Sequence, residues 1–339
     1  MTARLDHLLD AASIAGLLAL GSSVIDGRPI ALLDADGRLL GGRLPPSADA
    51  RRQPIELDGG VIGSVVADTA SPAALVALMA RSVELIAGGT QHLAAQVRID
   101  HELAIGRRIQ FALLPQRFPS VAGWSFAATY EPAREVGGDF YDLFTVRGQA
   151  NRLAFIVADV TGKGIPAALL MADVRALLHA AVDNADGPAD ALARVNRILI
   201  RERPTSLFVT ASLLVADAAT GAIRYASAGH EPPIVVRGAG GHELLEAQGA
   251  LLGAFEDGTF EERETHLGPG DLLVTYTDGV TDARDVAGSF FGEERFLEVV
   301  MTPGRAPAEV THAVGAALAE FRAGAEAFDD VTLVVARRD

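Results

Sequence analysis

Four short segments of the sequence combine carboxylates with glycine or with one end of an apolar run. They are residues 137–142, 159–164, 277–280 and 329–332. In the last three, an acidic residue stands at the end of a predicted buried strand, where an unpaired charge is costly. Carboxylates that converge on one point repel one another unless cations neutralise them. The four segments together therefore predict a site for cations.

The kind of cation follows from the ligands that the sequence offers. The 339 residues include no cysteine, so disulfides, thiolate zinc sites and cysteine nucleophiles are excluded. Hard oxygen ligands favour Mg²⁺ or Mn²⁺. Two such ions about 4 Å apart can activate water and hold a phosphoryl group for in-line displacement. Phosphoryl hydrolysis would then need no protein nucleophile.

The acidic segments lie within longer stretches that resemble the motifs of the SpoIIE/RsbU-like branch of the PPM protein phosphatases. In the order and spacing of that family, over about residues 100–339, the sequence has EPAREVGGDFYD (131–142), IVADVTGKGIPAA (156–168), ASAGHEPP (226–233), YTDGVTDA (276–283) and FDDVT (328–332). One departure is Asp282, where the family often has Glu, beside the metal motif. The resemblance implies a serine/threonine protein phosphatase with a central β-sandwich, flanking helices and a dinuclear Mn²⁺ or Mg²⁺ site.

Carried over by motif, the resemblance implies particular ligands, which are also the expected catalytic residues. They are Asp139, Asp159, Asp278 and Asp329, and Val160 would add its backbone carbonyl. In the last motif either Asp329 or its neighbour Asp330 could be the ligand, and Asp329 is favoured.

Three further residues are candidates for the surroundings of the site. Arg134, five residues before Asp139, could bind the substrate phosphate through two hydrogen bonds, or it could be an ordinary surface arginine. Lys163, between two glycines, could also contact phosphate, although its surroundings lack the P-loop pattern. His230 is predicted to be a buried, hydrogen-bonding turn residue rather than a ligand.

Two other functions compete with the phosphatase. Residues 137–140 read Gly-Gly-Asp-Phe, close to the signature of diguanylate cyclases. That family needs a second acid where Phe140 stands, and a cyclase would leave the other three acidic segments unexplained. A catalytically silent pseudophosphatase that only binds a partner is the non-enzymatic alternative, and the intact acids in all four segments argue against it.

The elements that must position these residues are strands and helices of an α+β domain. Hairpin-like spacing of the strands near residues 208–215, 222–226, 272–276 and 331–335 favours antiparallel sheets. Apolar patterns of helical length separate them at residues 165–182, 188–201 and 307–321. The pattern is not that of an alternating, doubly wound fold.

The chain divides into three predicted regions. Residues 1–88 have the pattern of a small α/β sensory module, weakly similar to a truncated GAF-like domain, with a hairpin turn at residues 58–60. Residues 89–115 form a predicted linker helix, and residues 116–339 the phosphatase domain. The linker has an apolar stripe that includes Leu93, Val97 and Ile109. It packs either on its own domain or on a second copy, and we expect a homodimer.

Composition indicates which classes of partner to exclude and where in the cell the protein is expected. The formal net charge of −15 argues against a nucleic-acid partner. No apolar run reaches the ~18 residues of a membrane span, and the first ten residues lack the basic start of a signal peptide. We therefore expect a cytoplasmic protein. The resemblance further implies a phosphorylated regulatory protein as substrate, in this branch usually an anti-sigma-factor antagonist of the STAS type.

Overall fold

The computed structural model describes residues 4–24, 27–46, 49–202, 206–302 and 304–339. The chain forms two compact units, Met1–Glu102 and Leu103–Asp339.

The first unit is a small sheet with helices. Its elements before the long third helix are α1 (Leu5–Leu8), α2 (Ala11–Val24), β1 (Ile30–Asp34), β2 (Leu39–Gly42), β3 (Arg51–Leu57) and β4 (Gly60–Ala67). The strands pair antiparallel in the order β2-β1-β4-β3. The predicted hairpin joins β3 to β4, and Asp58 and Gly59 both have positive φ, as a tight hairpin turn requires. The sequence pattern did not predict β2, which is only four residues long and ends in two glycines.

The third helix, α3 (Ala73–Leu113), is one continuous element. The sequence predicted a separate linker helix over residues 89–115, after the sensory module of residues 1–88. Gly88 and Gly89 lower helix propensity, yet no proline interrupts the 41 residues and the helix continues through them. The boundary between the two units, at Glu102 and Leu103, falls within it.

The second unit contains two antiparallel five-stranded sheets. Sheet one has the order β11-β10-β13-β14-β5 and sheet two the order β12-β9-β8-β7-β6. The strands are β5 (Trp124–Glu131), β6 (Phe140–Thr145), β7 (Arg152–Val160), β8 (Val209–Asp217), β9 (Ala222–Ala228), β10 (Ile234–Val236), β11 (His242–Leu244), β12 (Glu262–His266), β13 (Leu272–Tyr276) and β14 (Val331–Arg338). The helices are α4 (Ile165–Val182), α5 (Pro188–Glu202), α6 (Asp278–Thr281), α7 (Gly292–Val300) and α8 (Pro307–Arg322).

Alternating side chains of the central strands belong to different layers of the core. Phe155 of β7 packs between the sheets with Trp124 and Leu273, whereas Ile156 joins the cluster formed with α4 and α5. On the other side, β13 and β14 pack against α7 and α8. Both faces of these strands are buried, which accounts for their nearly continuous apolar sequences. The result is a β-sandwich covered by helices on its outer faces.

Strand register places all four acidic segments at one end of this sandwich. Phe140, which opens β6, pairs with Ala158 near the end of β7. Tyr276, which closes β13, pairs with Leu333 near the start of β14. Residues 139, 159, 278 and 329 each stand one to four positions from one of these paired residues, so antiparallel pairing brings 139 near 159 and 278 near 329. Hydrogen bonds from Thr277 and Thr332 to Asp139 join the two pairs at the same end.

Two helices in the described part of the chain, Ala73–Leu113 and Ile165–Val182, are long and apolar enough to cross a membrane by length and composition alone. The second contributes Met171, Val174 and Leu178 to the core of the sandwich. One or two such helices are weak evidence for membrane insertion, and the expected absence of a membrane span stays a prediction.

Candidate active site

Asp139 lies at the centre of the acidic end of the sandwich. Only 1% of the residue is exposed, and its Oδ2 accepts hydrogen bonds from Thr277 Oγ1 at 2.6 Å and Thr332 Oγ1 at 2.7 Å. Burial, followed by the charges of Asp159 and Asp330, raises the pKa of Asp139 well above its usual value. Two threonines from two different strand ends thus orient a carboxylate that its own neighbours repel.

Asp159 and Asp278 are subject to the same repulsion. Burial, then the charge of Asp278, raises the pKa of Asp159 to about 7, although hydrogen bonding with Asp139 opposes this shift. Burial and then the charge of Asp329 raise the pKa of Asp278, while Lys163 acts in the opposite direction. Like charges that raise one another's pKa in a desolvated place create a site that favours a cation.

The two acids of the last motif have different surroundings. Asp330 is buried, and its two carboxylate oxygens accept the backbone N–H groups of Ala133 and Gly138, each at 2.7 Å. Asp329 is one-third exposed, and its Oδ2 lies 2.9 Å from Nζ of Lys163. Asp330 therefore holds the backbone of the first motif in place, whereas Asp329 is the more accessible donor for an ion. This agrees with the preference for Asp329, which stays a prediction.

Two glycines allow the acidic segments to approach so closely. A β-carbon at Gly138 would lie 2.6 Å from the carbonyl oxygen of Val160 and 3.4 Å from a carboxylate oxygen of Asp159. A β-carbon at Gly279 would overlap the backbone carbonyl of Asp330. A side chain at Gly138 would push apart the first and second acidic segments, and one at Gly279 would push apart the third and fourth.

The donor set fits a hard divalent cation. The predicted set consists of buried or half-buried carboxylates with a backbone carbonyl at Val160, and Mg²⁺ and Mn²⁺ prefer such oxygens. Within the described ranges, no three His, Asp or Glu side chains are already gathered as a complete ligand set. Asp329 pairs with Lys163, and Asp139 is held by Thr277 and Thr332. A cation would supply the missing positive charge.

Arg134 and Lys163 line one open cavity, together with Arg284 and Phe328. Lys163 donates a hydrogen bond to the backbone carbonyl of Phe328 and pairs with Asp329, so part of its role is within the protein. The side chain of Arg134 is exposed. The structure thus places both predicted phosphate contacts beside the acidic cluster and not within it.

His230 is half-buried in the turn that follows β9. Its Nδ1 lies 2.7 Å from Thr210 Oγ1, and its Nε2 lies 3.1 Å from the carbonyl oxygen of Tyr276. Burial lowers the pKa of His230 to about 4, so the imidazole is neutral near pH 7. It joins the ends of β8, β9 and β13, as the sequence predicted for a turn residue.

The burial of His230 has a measurable consequence for stability in acid. The unfolded chain takes up a proton on this imidazole below pH 6.5, whereas the native state does so only near pH 4. Stability is therefore lost as the pH falls through this range, by about 3 kcal/mol at pH 4. We expect His230→Gln to flatten this part of the pH dependence, measured by urea unfolding between pH 7 and pH 4.5. Parallel pH profiles for both proteins would contradict the assignment.

Sequence reasoning did not identify several residues that support the site. Gln110, on α3 and only 4% exposed, donates to the carbonyl of Gly137 at 2.7 Å and accepts its N–H at 3.1 Å. It holds the loop that carries Asp139. A polar residue beside the apolar positions Ile109 and Leu113 was the available signal. Thr277 and Thr332 gave no signal, because threonine is common in strands.

Comparison with known proteins identifies the family. The sequence pattern described as Stage II sporulation protein E (SpoIIE) matches residues 149–339. The chain belongs to the SpoIIE family. The first acidic segment, residues 137–142, lies outside this match. Hydrogen bonds from Thr277 and Thr332 to Asp139 connect it to the matched region. The resemblance that the sequence motifs predicted is confirmed.

Individual relatives agree with the SpoIIE assignment. The chain is similar to protein IcfG of Synechocystis, with 31% identity over 265 residues, 70% of this chain and 42% of that protein. It is also similar to the phosphoserine phosphatase RsbU of Bacillus subtilis, with 31% identity over 194 residues, 57% of each chain. The chain thus spans about half the length of these relatives.

A solved structure similar to this SpoIIE-family chain is that of the SiaA-PP2C domain of Pseudomonas aeruginosa. The TM-score is 0.65 at 27% identity, covering 73% of this chain and 99% of that one. The predicted α+β fold with an antiparallel sandwich is therefore confirmed. The cyclase hypothesis loses its basis, because residues 137–140 belong to the acidic site of a SpoIIE-type sandwich.

Proposed function

We propose that this protein is a metal-dependent serine/threonine phosphatase that hydrolyses phosphoserine or phosphothreonine on a regulatory protein. The observation that carries the proposal is the position of Asp139, Asp159 and Asp278 at one end of the sandwich, each with a raised pKa. Membership of the SpoIIE family and similarity to a named phosphoserine phosphatase support it. The proposed cofactor is a pair of Mn²⁺ or Mg²⁺ ions.

The residues of the chain have separate roles in this proposal. Asp139, Asp159, Asp278 and Asp329, with the carbonyl of Val160, hold the ions. When bound, the ions supply positive charge and an activated water for attack on phosphorus. Thr277 and Thr332 keep Asp139 oriented through the hydrogen bonds to its Oδ2.

The groups beside the acidic cluster receive the substrate. Arg134 binds the phosphate through its planar guanidinium, which matches two phosphate oxygens. Lys163 neutralises Asp329. Its ammonium group adds positive charge next to the incoming phosphoryl group. Neither side chain needs to donate or accept a proton for this role.

The proposed substrate is a cytoplasmic anti-sigma-factor antagonist of the STAS type that carries phosphoserine or phosphothreonine. The support is the likeness to the phosphoserine phosphatases RsbU and RsbP of Bacillus subtilis. Dephosphorylation of candidate phospho-STAS proteins, with and without Mn²⁺, tests the choice of substrate.

Metal removal tests the reaction itself. We expect hydrolysis of an aryl phosphate to require Mn²⁺ or Mg²⁺, to stop with EDTA and to return when Mn²⁺ is added, because the acidic cluster cannot activate water without positive charge. Undiminished turnover by metal-stripped protein would contradict the two-ion proposal. Absence of turnover with metal present, at normal folding, would favour the pseudophosphatase alternative.

We also propose that the protein is a homodimer through α3. Leu93 and Val97 of this helix are 65% and 60% exposed, and such apolar side chains are stabilised by a partner surface. We expect Leu93→Glu combined with Val97→Glu to shift the protein towards the monomer in sedimentation velocity and to alter phosphatase turnover. His101→Glu, also on an exposed position of α3, is the control. A monomeric wild-type protein would contradict this proposal.

A further inference from the structure

A cationic cavity lies beside the acidic cluster and is not explained by metal binding. Its lining includes Arg134, Lys163, Arg284, Glu326 and Phe328. Its walls are continuations of two acidic motifs, since Arg284 follows the motif of Asp278 and Phe328 immediately precedes Asp329. A ligand in this cavity would therefore lie next to the phosphoryl group being hydrolysed.

Two aromatic rings hold the guanidinium of Arg284 in the cavity. Its guanidinium carbon lies 3.4 Å from the ring centre of Phe328 and 4.9 Å from that of Phe290. A backbone bridge between Arg284 and Phe290 closes the loop that carries both. Its Nε is buried and has no hydrogen-bond partner. Stacking on aromatic rings fixes the plane of the guanidinium and leaves its donors for an anion.

The other charges around the cavity do not neutralise Arg284. Asp285, which also lines the cavity, accepts backbone N–H groups from Ala287 and Ser289 on its Oδ1 at 2.9 and 2.8 Å, so one of its two oxygens is held in the turn. Lys163 is committed to Asp329. Among the described residues, neither Arg284 nor Arg134 has an ion pair.

We propose that Arg284 is a specificity-determining residue that binds an acidic side chain flanking the phosphorylated residue of the substrate protein. This inference rests on the proposed phosphatase function. A carboxylate matches the fork of a guanidinium, and Arg134 remains for the phosphate. Val286, Phe290 and Phe328 are 76%, 49% and 42% exposed, so they offer apolar contact to the same peptide segment.

The test compares two fluorescent phosphoserine peptides, one with glutamates beside the phosphoserine and one with alanines. Fluorescence polarisation with the full chain in EDTA measures their affinities without turnover. We expect the acidic peptide to bind about tenfold more tightly. Arg284→Ala should abolish this preference, and Arg284→Lys should retain only part of it. Arg134→Ala should weaken both peptides by similar factors.

Two further variants make the result specific to the cavity. Glu326→Gln removes a negative charge from the lining, so we expect it to increase the preference for the acidic peptide. Arg194→Ala removes an arginine that pairs with Asp190 on α5, and it should leave the preference unchanged. Equal affinity of the wild-type protein for both peptides, or an Arg284→Ala variant that is folded and retains the preference, would overturn the inference.

Turnover of the same peptides with Mn²⁺ separates this inference from the proposed function. If the wild-type protein hydrolyses both peptides, the ratio of their kcat/KM values should fall towards one in Arg284→Ala. If it hydrolyses neither, but the binding preference depends on Arg284, the phosphatase proposal fails and the binding site stands. If it hydrolyses both with equal kcat/KM, the phosphatase proposal stands and the role of Arg284 is overturned.

Discussion

Asp159→Asn is expected to reduce phosphatase turnover by about 10³-fold or more while the protein stays folded. The carboxylate is a proposed ligand, and the amide that replaces it carries no charge to hold a cation. Burial and the charge of Asp278 already raise the pKa of Asp159 to about 7. Removal of this charge relieves repulsion, so the melting temperature of the metal-free protein should be unchanged or higher. Turnover at saturating Mn²⁺ and thermal unfolding in EDTA are the two measurements.

Asp278→Asn should behave in the same way, because burial and the charge of Asp329 raise the pKa of Asp278. Asp282→Asn is the matched control. It removes a carboxylate from the same segment but beside the metal motif, so a small effect on turnover is expected. Wild-type turnover in Asp159→Asn or Asp278→Asn would contradict the ligand assignment, as would unfolding of both variants in EDTA.

Asp329→Asn and Asp330→Asn are expected to fail for different reasons. Asp329 is one-third exposed and contacts Lys163, so its replacement should eliminate turnover with little change in stability. Asp330 accepts backbone N–H groups on both oxygens. In the Asn variant the amide NH₂ would face one of these N–H groups, so two donors would oppose each other. We therefore expect Asp330→Asn to lower the free energy of unfolding by about 1–3 kcal/mol.

Urea unfolding and Mn²⁺ binding of the two variants, measured side by side, distinguish these roles. Asp329→Asn should lose affinity for Mn²⁺ at normal stability. Asp330→Asn should lose stability first, and any loss of turnover should follow from displacement of the backbone at Gly138. An Asp330→Asn variant of normal stability that no longer binds Mn²⁺, beside an active Asp329→Asn, would shift the ligand by one residue.

Local patterns in the sequence were sufficient for much of the fold. The predicted helix over residues 165–182 has those bounds in the structure, and the hairpin around residues 58–60 is present. Helical periodicity and turn residues depend on neighbours within a few positions, so they can be identified without tertiary contacts. The continuity of α3 could not be predicted from local patterns. Two glycines lower helix propensity at one point, and the rest of the 41-residue helix compensates for them.

The sequence by itself predicted which residues carry charge into the site, because a cysteine-free composition leaves oxygen or imidazole as ligands and four acidic segments supply the oxygens. It also determined the family, through motifs whose order is a property of the chain. Only the tertiary structure decided how Asp329 and Asp330 differ, that Gln110 holds Gly137, and that Arg284 contacts two aromatic rings. These facts depend on pairs such as Gly138 and Asp330, which are 192 positions apart in sequence. Contacts over such distances arise from strand pairing and close packing, and no local pattern of residues records them.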